Sequence, residues 1–320
     1  MRAPDFWYRP AGAAARLLAP LGMLYGAVGT LRRALLPATK VAVPVICIGN
    51  LVAGGAGKTP VALAVATLLA GRRPHFLTRG YGGRLRGPLR VDPVRHTAAD
   101  VGDEALLLAA AAPTWLARNR AAGAGAAIDA GAGIIVMDDG FQNPGLAKDL
   151  SLIVIDGATG FGNGMLSPAG PLRETPRDAF ARAQGIVMIG EDRTGLAGRL
   201  PASLPLFGAR LAPTPAADAL TGCRIVAFAG IGRPQKFFET LDALGCERAA
   251  QYAFADHHRY SDDEFDELVY EAAARDAILV TTAKDAVRLT AAQRARIRVV
   301  DVVLEWEGEA AIRRFLDRLG

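Results

Sequence analysis

Three short strings in this chain bring together side chains that can move a phosphoryl group. The run Gly54-Gly55-Ala56-Gly57-Lys58-Thr59-Pro60 joins a glycine-rich turn to a lysine and a hydroxyl. Glycines let backbone approach a ligand with no Cβ in the way, and N–H groups at a helix N-terminus bind phosphate. Lys58 adds a point charge, and the Thr59 hydroxyl is placed to hold Mg²⁺. Pro60 is tolerated because first-turn N–H groups have no intrahelical partner. Further on, Asp138 and Asp139 stand side by side before Gly140. Adjacent carboxylates repel, and a cation between them and a phosphate relieves that repulsion. If an alcohol accepts the phosphoryl group, something must take its proton. An aspartate with a pKa of about 3.9 is a weak base at neutral pH, so a pair of aspartate and histidine is the arrangement to expect. His257 and His258 follow Asp256 at a strand-to-helix junction, and composition does not choose between them.

The elements that must hold these groups are legible as well. Val43, Val45, Ile46 and Ile48 form a β-branched run ahead of the turn, and an Ala/Leu/Val segment follows it. That order is strand, loop, helix. The usual spacing G-x-x-x-x-G-K-[ST] would put its first glycine at position 52, where this chain has Val52. A chain with 36 glycines makes such turns by chance, but Lys58 is one of only five lysines, with Lys40, Lys148, Lys236 and Lys284. No [NT]-K-x-D string for guanine is present, since Thr282-Ala283-Lys284-Asp285 has the wrong spacing, so ATP is the expected nucleotide. Strands are expected over 133–137, ending at Asp138, and over 152–156 and 185–189. Asp103 and Glu104 fall in a helix's first turn, where the helix dipole alone would favour them. A long Gly/Pro-rich loop, Gly162 to Glu174, is of the kind that carries function. From Arg224 the strand–helix alternation restarts, with one strand expected over 297–303 and a terminal helix from Glu309.

Composition sets the outer limits. At 320 residues, 51% hydrophobic and 22% charged, the chain is globular and long enough for two lobes. Cys47, Cys223 and Cys246 form no metal-binding spacing and read as reduced structural thiols. Residues 1–40 carry six basic side chains (Arg2, Arg9, Arg16, Arg32, Arg33, Lys40) against Asp5, which accounts for the whole net charge of +5. Within that segment Leu17 to Leu31 is uncharged; its fifteen residues fall short of the roughly 20 that span a bilayer, and Pro20 and the following arginines fit a cleaved signal poorly. An interfacial helix, with arginines on anionic headgroups and Trp7, Tyr8 and Tyr25 at the boundary, is the expectation; a helix packed on the body is the alternative. Seven arginines between Arg72 and Arg95, against Asp92 alone, form either a solvated face or a seat for an anion.

GNLVAGGAGKTP, TRGYGG, VGDEALLLA, DDGFQN, GNGMLSPAGPLRE, AGIGRPQKFF and FADHHRYS, in this order over about residues 40 to 290, resemble the tetraacyldisaccharide 4'-kinase family of the lipid A pathway. That family uses the same variant loop, which accounts for Val52. The resemblance implies transfer of the ATP γ-phosphoryl to the 4'-hydroxyl of an acylated glucosamine disaccharide 1-phosphate, with Mg²⁺, at the cytoplasmic face of the inner membrane. It implies Lys58 and Thr59 on phosphates and metal, Asp103 as base with His257 as partner, and Asp138 and Asp139 at the metal. Arg120 and Arg173 would face phosphates; Glu174 would join the metal set and Glu104 the surrounding site. Asn143 stands where many relatives have histidine, and Lys148 where arginine is common. The expected fold is α/β: a P-loop NTPase-like α/β/α sandwich over 37–205, a smaller α/β lobe over 206–320, and a membrane-associated segment over 1–36. Anionic membrane lipids are expected partners and nucleic acid is not. A membrane-peripheral P-loop ATPase acting as a switch or chaperone is the alternative.

Overall fold

The computed structural model describes residues 4–319; Arg2 lies outside them. Thirteen strands run in chain order: β1 (Val45–Gly49), β2 (Pro74–Thr78), β3 (Leu89–Arg90), β4 (Thr114–Leu116), β5 (Ile134–Asp138), β6 (Leu150–Asp156), β7 (Gly185–Ile189), β8 (Leu206–Pro213), β9 (Arg224–Ala229), β10 (Glu247–Ala253), β11 (Ile278–Thr282), β12 (Arg298–Val300) and β13 (Val302–Glu307). Nine make one sheet in the order β13-β8-β7-β6-β1-β5-β2-β4-β3, and four make a second, β10-β9-β11-β12. The large sheet is parallel from β8 to β4, with β13 and β3 antiparallel at its edges.

Side chains of β1 alternate between two apolar layers, as the two-residue period of a strand requires. Val45 and Cys47 pack with Ala124 and Ala127 of the helix Arg120–Asp129, while Ile46 and Ile48 pack with Val61 and Val65 of the helix Lys58–Leu68. Both faces of β1 are covered, which is why it reads as a continuous apolar run. The small sheet is covered likewise, by Phe237, Phe238 and Leu241 on one side and by Phe265, Leu268 and Ala272 on the other.

The boundary expected at residue 205 falls elsewhere. β8 pairs with β7 in the large sheet, and β13 pairs with β8. The strand expected over 297–303 breaks at Asp301, with β12 in the small sheet and β13 in the large one. The helix Glu309–Leu316 buries Ile312, Phe315 and Leu316 in the large lobe's core. The small lobe is thus an insertion, and the chain crosses into it after Pro213 and back at Asp301, where Thr214 N–H donates to the Asp301 carbonyl at 3.0 Å. Apolar burial decides this: β8 carries Phe207 and Ala209, whose partners are in the larger core.

At the other end the helix Ala13–Leu35 runs 23 residues, longer than its uncharged stretch because both flanking arginine sites are helical. Gly22 and Gly26 lie against Leu166, where a Cβ on Gly22 would come within 2.7 Å of the Leu166 carbonyl oxygen. Arg33 pairs with Glu174 at 3.5 Å. Leu17, Leu21, Met23, Leu24, Val28, Leu31 and Leu35 are exposed. Trp7 and Tyr8 belong to a short turn docked on the long loop, where the Trp7 indole donates to the Pro168 carbonyl at 3.0 Å.

Candidate active site

The loop after β1 is held from one side. Val52 bridges Leu172, Ala53 N–H donates to the Pro171 carbonyl at 2.8 Å, and Arg173 N–H donates to the Leu51 carbonyl at 2.7 Å. A valine suits position 52 because its backbone is extended and paired and its side chain is buried. Gly57 then turns with φ of 81° and caps the helix Lys58–Leu68; a Cβ there would lie 2.4 Å from Ile189. Gly55 has open space around it, and Ala56 is buried in the core beneath the turn. Lys58, Thr59 and Pro60 form the first helical turn.

Sheet register delivers the acids. Ile48 of β1 is level with Asp138 of β5, so the end of one strand faces the start of the loop that leaves the other. The Thr59 hydroxyl donates to Asp138 Oδ2 at 2.9 Å, while buried Asp138 Oδ1 has no hydrogen-bond partner. Burial, with Asp139 beside it, pushes the Asp138 carboxyl up to about 7. Asp139 has a positive φ of 51° and lies 3.7 Å from Lys58 Nζ and 2.9 Å from Arg173 Nη1. Enclosure by the protein pushes Asp139 up, but Lys58 and Arg173 outweigh it and hold the carboxyl below its usual range. Burial pulls Lys58 down, against the pull of Asp139. Arg120, almost fully buried, donates to the Ala117 carbonyl, and its Nε has no partner. Burial and neighbouring Arg79 lower it to about 10.

Glu174 does not join this set. Its carboxylate is taken by Arg182, by Arg33 and by the Gln142 amide at 3.0 Å. Two guanidinium groups neutralise it and would repel a metal ion, so the expected metal role is corrected to that of an anchor for the N-terminal helix and the long loop. Lys148 donates to the Asn143 carbonyl, which gives that pair a local structural contact.

The second lobe closes over the helix Asp103–Ala111. His257 Nδ1 lies 2.7 Å from Asp103 Oδ2, across a separation of 154 residues. His257 also has a positive φ, 59°, of the sort that persists where surroundings over-determine it. His258 instead contacts Glu264 at 3.1 Å, within the capping box that Ser261 and Glu264 make. Sequence reasoning passed over two further groups. Arg288 Nε donates to Asp103 Oδ2 at 2.7 Å, and its Nη1 donates to Asp285 Oδ1 and to the Gly230 carbonyl, each at 2.8 Å. Lys284 lies 2.9 Å from Glu104 and 3.5 Å from His257 Nε2. Burial raises Asp103, but hydrogen bonds from His257 and Arg288 outweigh it and hold the carboxyl below its usual range. Burial lowers Lys284, and Glu104 with Asp256 more than reverse that. Asp103, Glu104 and His257 could offer three ligand atoms to a metal, but Arg288 and Lys284 already hold them.

The two clusters adjoin, for the helix Lys58–Leu68 packs against the helix Asp103–Ala111, with Val61 and Val65 in one apolar layer with Leu108. A glycine-rich loop and helix N-terminus after a central parallel strand, an acid at the end of the neighbouring strand and an aspartate–histidine pair beside them are the parts of a P-loop kinase. A profile of the tetraacyldisaccharide-1-P 4'-kinase family, LpxK, matches residues 14–320, and the chain belongs to that family. It is 56% identical to a tetraacyldisaccharide 4'-kinase of Rhodospirillum centenum, over 99% of this chain and 96% of that one. Its identity to the Rhodospirillum rubrum protein of the same name is 53%, over 100% and 98%. A crystal structure described as the "apo" form of LpxK from Aquifex aeolicus in complex with ATP aligns with a TM-score of 0.78 at 26% identity, covering 95% of this chain and 99% of that one.

Proposed function

We propose that this kinase transfers the γ-phosphoryl group of ATP to the 4'-hydroxyl of tetraacyldisaccharide 1-phosphate, giving lipid IVA in lipid A biosynthesis. The observation that carries this reading is the 2.7 Å contact of Asp103 with His257, beside the loop that ends in Lys58 and Thr59. A nucleotide switch has no need of a group that takes a proton from an alcohol. Here an aspartate–histidine pair suited to that task is assembled from two lobes next to the loop.

In this reading the N–H groups of Gly54 to Thr59 and the Lys58 ammonium receive the phosphates, with Arg173 and Arg120 as further cations around them. Asp138, Asp139 and Thr59 suit Mg²⁺, because a buried oxygen without a partner is what a cation satisfies. Mg²⁺ would supply neutralisation of charge on the β- and γ-phosphates. Asp103 accepts the proton of the attacking hydroxyl. Its Oδ2 is filled by His257 and Arg288, and Oδ1 accepts no hydrogen bond among the described residues, which leaves it for the acceptor. His257 orients the carboxylate and shares the proton.

The acceptor carries acyl chains, and at about 0.8 kcal/mol per buried CH₂ it will not leave a bilayer readily. The exposed apolar residues of the helix Ala13–Leu35, with Arg16 and Arg32 near its ends, support docking on an anionic membrane, at the cytoplasmic face of the inner membrane where ATP is present. Because Gly22, Gly26 and Arg33 hold this helix to the body, it lies along the membrane surface rather than across it. The basic segment 72–95 suits the 1-phosphate, and nucleic acid is not a partner in this reading. The test is transfer of ³²P from ATP into a chloroform-extractable disaccharide lipid by purified protein in detergent. Release of free phosphate alone would favour an ATPase switch and overturn the proposal.

A further inference from the structure

The geometry points to Arg288 as the positioning residue of the site: reaching in from the second lobe, it clamps Asp103 and so fixes the Asp103–His257 pair. This rests on the kinase reading and adds to it a residue on which the pair depends.

Arg288 stands at the centre of a chain of contacts. Its Nε donates to Asp103 Oδ2 at 2.7 Å, and its Nη2 is 2.6 Å from the same oxygen. Its Nη1 is anchored behind, on Asp285 Oδ1 and the Gly230 carbonyl, at 2.8 Å each. Asp285 is itself fixed by Tyr260 Oη at 2.8 Å, Thr282 Oγ1 at 2.6 Å and Gly230 N–H at 2.9 Å. The same Gly230 carbonyl accepts from His257 N–H at 3.0 Å. Asp103, through the Arg288 guanidinium, and His257, through its own backbone N–H, are therefore tied to one backbone oxygen. The side chain of Arg288 is 2% exposed and that of Asp285 0%, so water offers neither of them a substitute.

The consequences are chemical as well as geometric. Every donor on Asp103 falls on one oxygen, which turns the other toward the acceptor side. Other charged groups facing the pair are Glu104 on the helix of Asp103, Asp256 on the loop before His257 and Lys284 on the helix before Arg288, with the Tyr81 ring tilted 58° to the imidazole at a centroid distance of 5.7 Å. Lys284 partners Glu104 and Asp256, so Arg288 is the cation committed to Asp103.

Arg288→Met and Arg288→Lys should be compared with the unaltered protein by the pH dependence of kcat/KM and by the ¹³C titration of the Asp103 carboxyl, which needs no turnover. Losing the cation raises the Asp103 pKa, so the acid limb moves to higher pH. Misplacement of the base lowers kcat about 100-fold while KM for ATP stays within about threefold. Arg288→Lys keeps the charge and restores the limb position better than it restores kcat. Should Arg288→Met fail to fold, Arg288→Lys and Asp285→Asn carry the test, since Asp285 holds the guanidinium from behind. An Asp103 titration that is the same in all variants, or a loss of activity matched by lower thermal stability with the limb unmoved, overturns the inference. Failure of the unaltered protein to phosphorylate the lipid would overturn the kinase reading instead, and leave the carboxyl titration standing as evidence on Arg288.

Discussion

Thr59 Oγ1 lies 2.9 Å from Asp138 Oδ2, which joins the first turn after the phosphate loop to the end of the neighbouring strand. Thr59→Val keeps the shape and removes the donor. We expect kcat to fall about 10–100-fold, the usual loss when a group beside a metal ligand is removed, and the Mg²⁺ concentration for half-maximal rate to rise. Initial rates across a Mg²⁺ series check this; an unchanged requirement would take Thr59 out of the metal set.

Asp103→Asn should cut kcat by about 10²–10⁴-fold, the range for loss of a general base, with ATP binding by calorimetry retained. His257→Ala should cost more than His258→Ala, because His258 is occupied with Glu264. The reverse order would assign the pair to the wrong histidine.

The same Asp103→Asn change has a pH signature in stability. The carboxyl is held below its usual range in the folded protein, so its contribution is present above about 3.9, its unfolded value, and is lost as pH falls through the folded one. Urea midpoints of wild type and variant should differ at pH 7 and converge in strong acid. A gap that widens on acidification would contradict the sign.

Gly22→Val should drive the N-terminal helix off the long loop, since the Leu166 carbonyl is backbone and cannot swing away. Overpacking of this kind costs about 1–3 kcal/mol, visible as a lower thermal midpoint. Gly29→Ala is the control: its nearest contact is the far end of Arg33, at 3.6 Å. An equal drop in both variants would locate the effect in the helix rather than in its docking.

Leu24→Asp and Leu31→Asp alter side chains that are exposed and touch no core. Each leucine buried in a membrane gives about 1.5–3 kcal/mol, so either change should weaken flotation with anionic vesicles about tenfold or more. Unchanged flotation would place the contact with lipid elsewhere.

The parts of the fold that could be read in advance are those where local signals and burial agree. β1, the loop and its helix carry their pattern in neighbouring residues, and β5 ends in its acids as a strand at a sheet centre would. The Asp103–His257 pair was legible through the resemblance to a known family; the residues alone left His257 and His258 equivalent. Arg288 and Lys284 were not legible, because an arginine in a polar C-terminal stretch looks like surface until the second lobe closes on Asp103. Glu174 was misread for the complementary reason: its partners, Arg33 and Arg182, are ordinary in sequence and become a cage only once the N-terminal helix docks. The boundary at 205 failed because composition marks a polar linker there, whereas the sheet continues through β8.

Because Thr214 and Asp301 sit hydrogen-bonded side by side, everything between them can be regarded as a cassette plugged into a finished framework. A short turn bridging those two positions would excise it without severing the nine-stranded sheet. Such a shortened chain should keep the loop of Lys58 and Thr59 and would forfeit His257, Lys284 and Arg288 together, so that ATP binding without lipid phosphorylation is the expected outcome.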